Sequence, residues 1–266
     1  MAIAGVALIV VAIVSWQALH LSPSDLRWGA LVASGILVPV SVGLTAAEYR
    51  LVAAASGVGA NWTESLRITV LGTLANLLPL PGAAALRVND LVSRAAGARR
   101  AAAATIGIGV LWLAWALIVS GLALCFAGSI AVGMAMVVAG LAAMAAAVLI
   151  GPRRAARHSR GFWLAMGSGI EIASLATGVA RILLTMAALG LDPTVIQAVG
   201  LVAAGAIAST VGIVPGGLGV RELVAGVLAP LVGLEVAAAI VTVAIVRVVG
   251  LVFSAPIAVL VMRTSR

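Results

Sequence analysis

Lysine is absent from this chain. Its sixteen basic residues are all arginine, set against eight acids, two histidines and one cysteine in 266 residues. Each scarcity excludes something. A lone cysteine, Cys125, leaves no disulfide framework and no cysteine metal site. Two histidines, His20 and His158, and acids that stand mostly apart leave no metal cluster. There is no HExxH, no GxSxG and no DDxxD, so metal hydrolysis, serine hydrolysis and prenyl transfer lack their residues and no enzyme or cofactor is expected. The formal charge of +8 would suit nucleic acid, but a basic soluble face interleaved with base-reading groups is missing. Segments of about ten residues with alternating polarity, which an outer-membrane barrel needs, are missing too.

What is present is apolar. Hydrophobic residues make up 64% and charged residues 9%, and runs of about 20 apolar residues, the length that crosses a ~30 Å hydrocarbon core, recur throughout. The expectation is an all-α polytopic membrane bundle forming a single domain over 1–266. Full spans are placed at about 1–19, 28–48, 101–126, 130–150, 162–189 and 236–262. The first, "MAIAGVALIVVAIVSWQAL", lacks a basic leading region and a small-residue cleavage site and reads as a retained span. Two more runs, 66–80 and 196–213, each stop at a proline-glycine and lead into a shorter helical piece.

Arginine placement sets the expected orientation. The loop 151–160 ("GPRRAARHSR") carries four arginines and no acid, the stretch 87–100 is similarly basic, and the tail ends "RTSR". Short loops rich in arginine stay cytoplasmic, so these three and the N-terminus are assigned to the cytoplasmic side of a bacterial-type inner or plasma membrane. Thr194 to Val232 then begins and ends outside. Its second limb, Val220 to Val232, is too short to span, so the stretch reads as a re-entrant pair of half-helices broken at Pro215-Gly216-Gly217.

The same device occurs earlier. "PGAAALR", Pro81 to Arg87, aligns with "PGGLGVR", Pro215 to Arg221, at an offset of 134 residues, which also superposes Ser34-Gly35 on Ser168-Gly169. This reads as a duplication of about 28–126 in 162–260, linked by span 130–150 and the basic loop. An odd number of crossings separates the two units, so they are inverted, a recurrent plan of secondary transporters with broken helices at the midplane.

Charges within spans cost ~2.5–3.5 kcal/mol each and ask for a partner or a task. Arg221 and Glu222 follow Gly219 at a half-helix start, where free N–H groups, including those at Gly216 and Gly217, favour an anion and Arg221 adds a fork suited to phosphate. Arg247 is isolated on its own span, with Glu222, Glu171 or a bound anion the candidate partners. On span 162–189, Gly167, Glu171, Ser174, Gly178, Arg181 and Thr185 share a sector of about 80°, a small-polar stripe suited to a cavity or to close packing. Arg87 reads equally as the counterpart of Arg221 or as an ordinary cytoplasmic arginine, with Pro81 and Gly82 as the first hinge. Glu222 or Glu171 is placed to take up a proton.

"PGGLGVRE", Pro215 to Glu222, resembles the flippase-like family typified by the membrane region of lysylphosphatidylglycerol synthetases, which includes short stand-alone members. Arg247 resembles an arginine this family carries in its last spans. "NLLPLPGAAALR" resembles its first-half motif at Asn76, Pro79 and Arg87, with Ala83 and Ala84 standing where Gly-Glu is expected. The soluble transferase of bifunctional members is not seen here, so aminoacyl transfer is not carried over. The resemblance implies movement of an anionic phospholipid or polyprenyl-phosphate-linked lipid between leaflets, its phosphate held at the broken hairpins by Arg221, Gly217, Gly219 and Arg247. Two other readings fit the same residues: a non-transporting scaffold or partner subunit of a lipid or envelope synthase, with homo-oligomers also compatible, and a secondary transporter of a small soluble anion.

Overall fold

The computed structural model describes residues 17, 22–75, 82–151, 159–210 and 219–264. Among these residues no strand occurs, and the α-helices are α1 (Trp28–Ser56), α2 (Trp62–Ala75), α3 (Gly82–Ser93), α4 (Ala98–Phe126), α5 (Ile130–Ile150), α6 (Arg160–Ala188), α7 (Val195–Thr210), α8 (Val220–Leu228) and α9 (Val236–Thr264). Five of them, α1, α4, α5, α6 and α9, are long and apolar enough to cross a membrane. A helix of 29 residues such as α4 is about 43 Å long at ~1.5 Å per residue, more than the hydrocarbon core requires.

These five fit an integral membrane protein, and so does the outer surface. On α5 the exposed residues include Ile130, Met134, Val138, Leu141 and Leu149, and on α9 Val248, Leu251, Val252, Val259 and Leu260. An apolar face of that extent is uncommon on a water-soluble monomer and is the expected surface against lipid.

Expected and observed boundaries agree closely for α4, α5, α6 and α9. The expected span 1–19 and most of the basic loop, 152–158, lie outside the described residues. α1 runs past 48 to Ser56, because Glu48, Tyr49 and Arg50 all find partners on neighbouring segments. It stops at Gly57, whose φ of +91° turns the chain left-handed while its N–H bonds the Ala53 and Ala54 carbonyls. The stretch 87–100, read as a loop, is mostly helical, only 94–97 lying between α3 and α4: Leu91 of α3 is fully buried and draws the segment onto the bundle.

α2 starts on reciprocal bonds: the Asn61 N–H donates to Glu64 Oε2 (2.9 Å) and the Glu64 N–H to Asn61 Oδ1 (2.8 Å). α3 begins at Gly82, where a Cβ would sit 2.8 Å from the Ala75 carbonyl carbon, so only glycine lets the chain return this close to the end of α2. α4 and α5 form a tight antiparallel hairpin on small residues. A Cβ on Gly121 would meet the Gly133 carbonyl at 2.7 Å, and one on Gly140 the Ala114 carbonyl at 2.9 Å.

The core has two parts. One gathers Leu124, Ile182, Met186, Leu201 and Val243, the other Tyr49, Val52, Ile68, Leu91, Ile108 and Trp163, with α4 and α6 contributing to both. α1 and α6 pack antiparallel: the Ser34 and Thr185 hydroxyls lie 3.4 Å apart at one end, and Leu51 approaches Gly167 at the other. Helix contacts come in pairs. α1 with α2, α2 with α3, α3 with α4 and α1 with α4 have their counterparts in α6 with α7, α7 with α8, α8 with α9 and α6 with α9. Between the two sets, α4 packs on α7 as α9 packs on α2, and α4 on α6 as α9 on α1.

Candidate functional site

The charged residues of the bundle fall into two groups. The first assembles on α6, α8 and α9. Gly219, at φ +82°, turns the chain into α8, and its N–H donates to Glu222 Oε2 at 3.0 Å. Glu222 thereby closes the first turn of its own helix, the carboxylate half of a capping box. Its other oxygen lies 3.7 Å from Arg247 Nη1 on α9, and Glu222 is only 1% exposed. Of the two candidate side-chain partners for Arg247, Glu222 is therefore the one at ion-pair distance.

Arg221 points elsewhere, as adjacent helical residues must. Its guanidinium lies against Gly205 of α7, where an added Cβ would come within 3.4 Å of Cζ, so the missing side chain makes the space for it. Its buried Nε has no hydrogen-bond partner among the described residues. Arg181 reaches across from α6: Nη2 donates to the Val246 carbonyl at 2.7 Å and lies 3.0 Å from where a Cβ on Gly250 would be. The charges of Arg181 and Arg221 act on each other, and Arg221 also feels Glu222 and Arg247. Arg181 is thus linked to Arg221, and Arg221 to Arg247 and to Glu222, the carboxylate at ion-pair distance from Arg247. A buried excess of positive charge costs free energy until an anion joins it.

The second group sits on α1, α3 and α6. Arg87 Nη1 lies 2.5 Å from Glu48 Oε1, and both side chains are largely covered. Glu171 is 1% exposed, interacts electrostatically with Glu48 and Arg87, and keeps its Oε1 without a hydrogen-bond partner among the described residues. The small-polar stripe of α6 is therefore one face serving two places. Glu171 and Arg181 are ten residues, roughly 15 Å of rise, apart.

Beside this group the Tyr49 hydroxyl donates to Asp90, Arg94 Nε lies 2.7 Å from Asp90 Oδ2, and Arg94 Nη1 lies 2.8 Å from Glu64 Oε2. The Asn61 amide and the Arg94 guanidinium hold the Glu64 carboxyl below the usual carboxylate range. This chain of contacts ties α1, α2 and α3 together.

Of the residues singled out from sequence, Gly82, Arg87, Glu171, Arg181, Gly219, Arg221, Glu222 and Arg247 are placed as above. Asn76, Pro81, Pro215, Gly216 and Gly217 lie outside the described residues. Sequence reading missed Glu48, which pairs across 39 positions, and the glycines that seat the arginines, Gly205 and Gly250. The available signal for Glu48 was an acid in a long apolar run without a basic residue a turn away on its own helix. No group of three or more metal-ligating side chains occurs among the described residues.

Two grooves open on the surface. One, of about 360 Å³, is lined by α1, α6 and the segment that leads into α2, and includes Arg50, stacked 4.5 Å from the Trp62 ring centroid and donating to the Ala60 carbonyl. The other, of about 440 Å³, is walled by Val119, Ile172, Leu175, Val179, Leu183 and Val199, on the face of α6 opposite Arg181. Comparison with protein-family models, with curated proteins and with solved structures gave no match.

Proposed function

We propose that this integral membrane protein is a flippase-like lipid transporter that binds the phosphate of an anionic phospholipid or polyprenyl-phosphate-linked lipid at Arg181, Arg221 and Arg247. The observation that carries this reading is the linking of three arginines from three helices, Arg181 to Arg221 and Arg221 to Arg247, with the buried Glu222 carboxylate beside the latter two. Moving a phosphate across hydrocarbon is opposed mainly by desolvation, and a protein site with guanidinium forks replaces lost hydration with charge-assisted hydrogen bonds. Glu222 keeps part of that charge compensated when the site is empty.

The helix arrangement supports a transporter over a static bundle. The paired contacts and the antiparallel packing of α1 on α6 are what an inverted duplication produces, and two such halves can exchange roles at similar energy. The short helices α3 and α8 follow the two proline-glycine stretches of the sequence. The groove between α1 and α6 has mostly apolar walls with one cation, Arg50, among them, suited to holding a lipid with its headgroup at Arg50 and Trp62.

The test is leaflet exchange in proteoliposomes across fluorescent anionic, zwitterionic and aminoacylated lipids. Faster exchange of anionic headgroups than in empty vesicles is expected and would name the substrate class. Exchange no faster than in empty vesicles for every headgroup would overturn the reading in favour of a scaffold.

A further inference from the structure

The second charged group contains two carboxyls and one guanidinium, and only one carboxyl is paired. Arg87 is engaged by Glu48 at 2.5 Å. Glu171 is left almost fully enclosed, with Oε1 unpartnered among the described residues. The charged groups acting on it are Glu48 from α1 and Arg87 from α3; α4, α7 and α9, which also pack on α6, add none among the described residues. One cation neutralises one carboxylate. The other becomes neutral only by binding a proton, and leaving it ionised and unpaired in this setting is strongly unfavourable.

We propose that Glu171 and Glu48 form a proton-binding site in which the two carboxyls compete for Arg87, with the proton held by whichever one Arg87 leaves. In the arrangement seen here Arg87 pairs with Glu48 and Glu171 carries the proton. Moving the guanidinium to Glu171 releases that proton, and Glu48 takes one up, so the group stays neutral with one proton in both arrangements. Glu48 is on α1 and Glu171 on α6, the first helices of the two similar halves, and Arg87 is on the short helix α3. A relative movement of the halves therefore changes which carboxyl is protonated. As a coupling device this rests on the transport reading; as a proton site it does not.

The experiment is infrared difference spectroscopy of the full chain in nanodiscs through a pH titration, reading the C=O stretch of a protonated carboxyl. The wild type is expected to show this band at neutral pH and Glu171→Gln to lose it. Glu48→Gln is the discriminating variant: with its rival gone, Glu171 pairs with Arg87 and ionises, so the band disappears there as well. A band that persists in Glu171→Gln, or that Glu48→Gln leaves unchanged, overturns the proposal. Both substitutions are nearly isosteric, and the Glu222→Gln spectrum, in which the band should persist, controls for general loosening. Lipid exchange with and without a pH gradient is read separately. Exchange in the wild type that ignores the gradient overturns the coupling, whereas absence of any exchange counts against the transport reading and leaves the infrared result standing.

Discussion

Glu222 Oε1 lies 3.7 Å from Arg247 Nη1 while Glu222 Oε2 accepts the Gly219 N–H at 3.0 Å, so one carboxylate both starts the short helix α8 and faces α9. The two duties separate by substitution. Glutamine retains an acceptor for the Gly219 N–H but no charge. Glu222→Gln is expected to keep the fold and to bind anionic lipid roughly three- to tenfold more tightly, about 1 kcal/mol, because Arg221 and Arg247 lose their nearby counter-charge. Glu222→Ala also removes the cap, at about 0.5–2 kcal/mol of stability. Lipid binding by native mass spectrometry and thermal unfolding of both variants check this.

Arg181 depends on Gly250 for its seat. A Cβ at 3.0 Å from Nη2 obliges the guanidinium to shift by a few tenths of an ångström against its bond to the Val246 carbonyl. Gly250→Ala is expected to leave stability near the wild-type value, the gain of about 1 kcal/mol in helix propensity offsetting the strained bond of about 1 kcal/mol, and to slow exchange of an anionic lipid. Equal exchange in Gly250→Ala and wild type would show that the position of Arg181 is immaterial.

The sequence is most legible where length and apolarity decide, and least where a charge is settled by a distant helix. The runs 130–150 and 236–262 coincide with α5 and α9 to within two residues, because an uninterrupted apolar stretch has few alternatives to a spanning helix. Glu48 is the opposite case. It reads as a span end, yet the helix continues through it since Arg87, far along the chain, meets it. The polar stripe of α6 was visible by periodicity, but periodicity gives an angular face and not a depth. It grouped Glu171 with Arg181, which the bundle assigns to different neighbours.

Ala95 offers a test of backbone strain independent of function. It has φ +67° in the turn after α3, held by the Ala95 N–H to the Val92 carbonyl and the Ala96 N–H to the Leu91 carbonyl. A left-handed conformation costs an L-residue about 1–2 kcal/mol, part of which glycine recovers. Ala95→Gly is expected to raise stability by about 0.5–1 kcal/mol despite the added freedom of the unfolded chain. A lowered midpoint of unfolding would contradict the turn geometry.

Glu64 predicts a modest acid sensitivity. Its carboxyl is held below the usual range in the folded chain, so its contribution is complete above the unfolded-state value and is lost as pH falls through the lower folded value. The group is substantially exposed, and a pair of this kind is worth only about 0.2–1 kcal/mol. Wild type and Glu64→Gln should therefore differ slightly in thermal stability near neutral pH and converge under acid. A difference that grows as pH falls would contradict the sign.

The most direct measurement of the account is leaflet exchange of an anionic lipid by Arg221→Gln, with Arg263→Gln at the exposed end of α9 as the matched control. Both proteins should be monodisperse and incorporated to equal density. At least a tenfold loss of exchange in Arg221→Gln, with Arg263→Gln near the wild-type rate, is the expected result, corresponding to about 1.4 kcal/mol or more of lost transition-state stabilisation. Wild-type exchange by a folded Arg221→Gln protein would contradict the claim that the arginine group on α6, α8 and α9 carries the lipid phosphate.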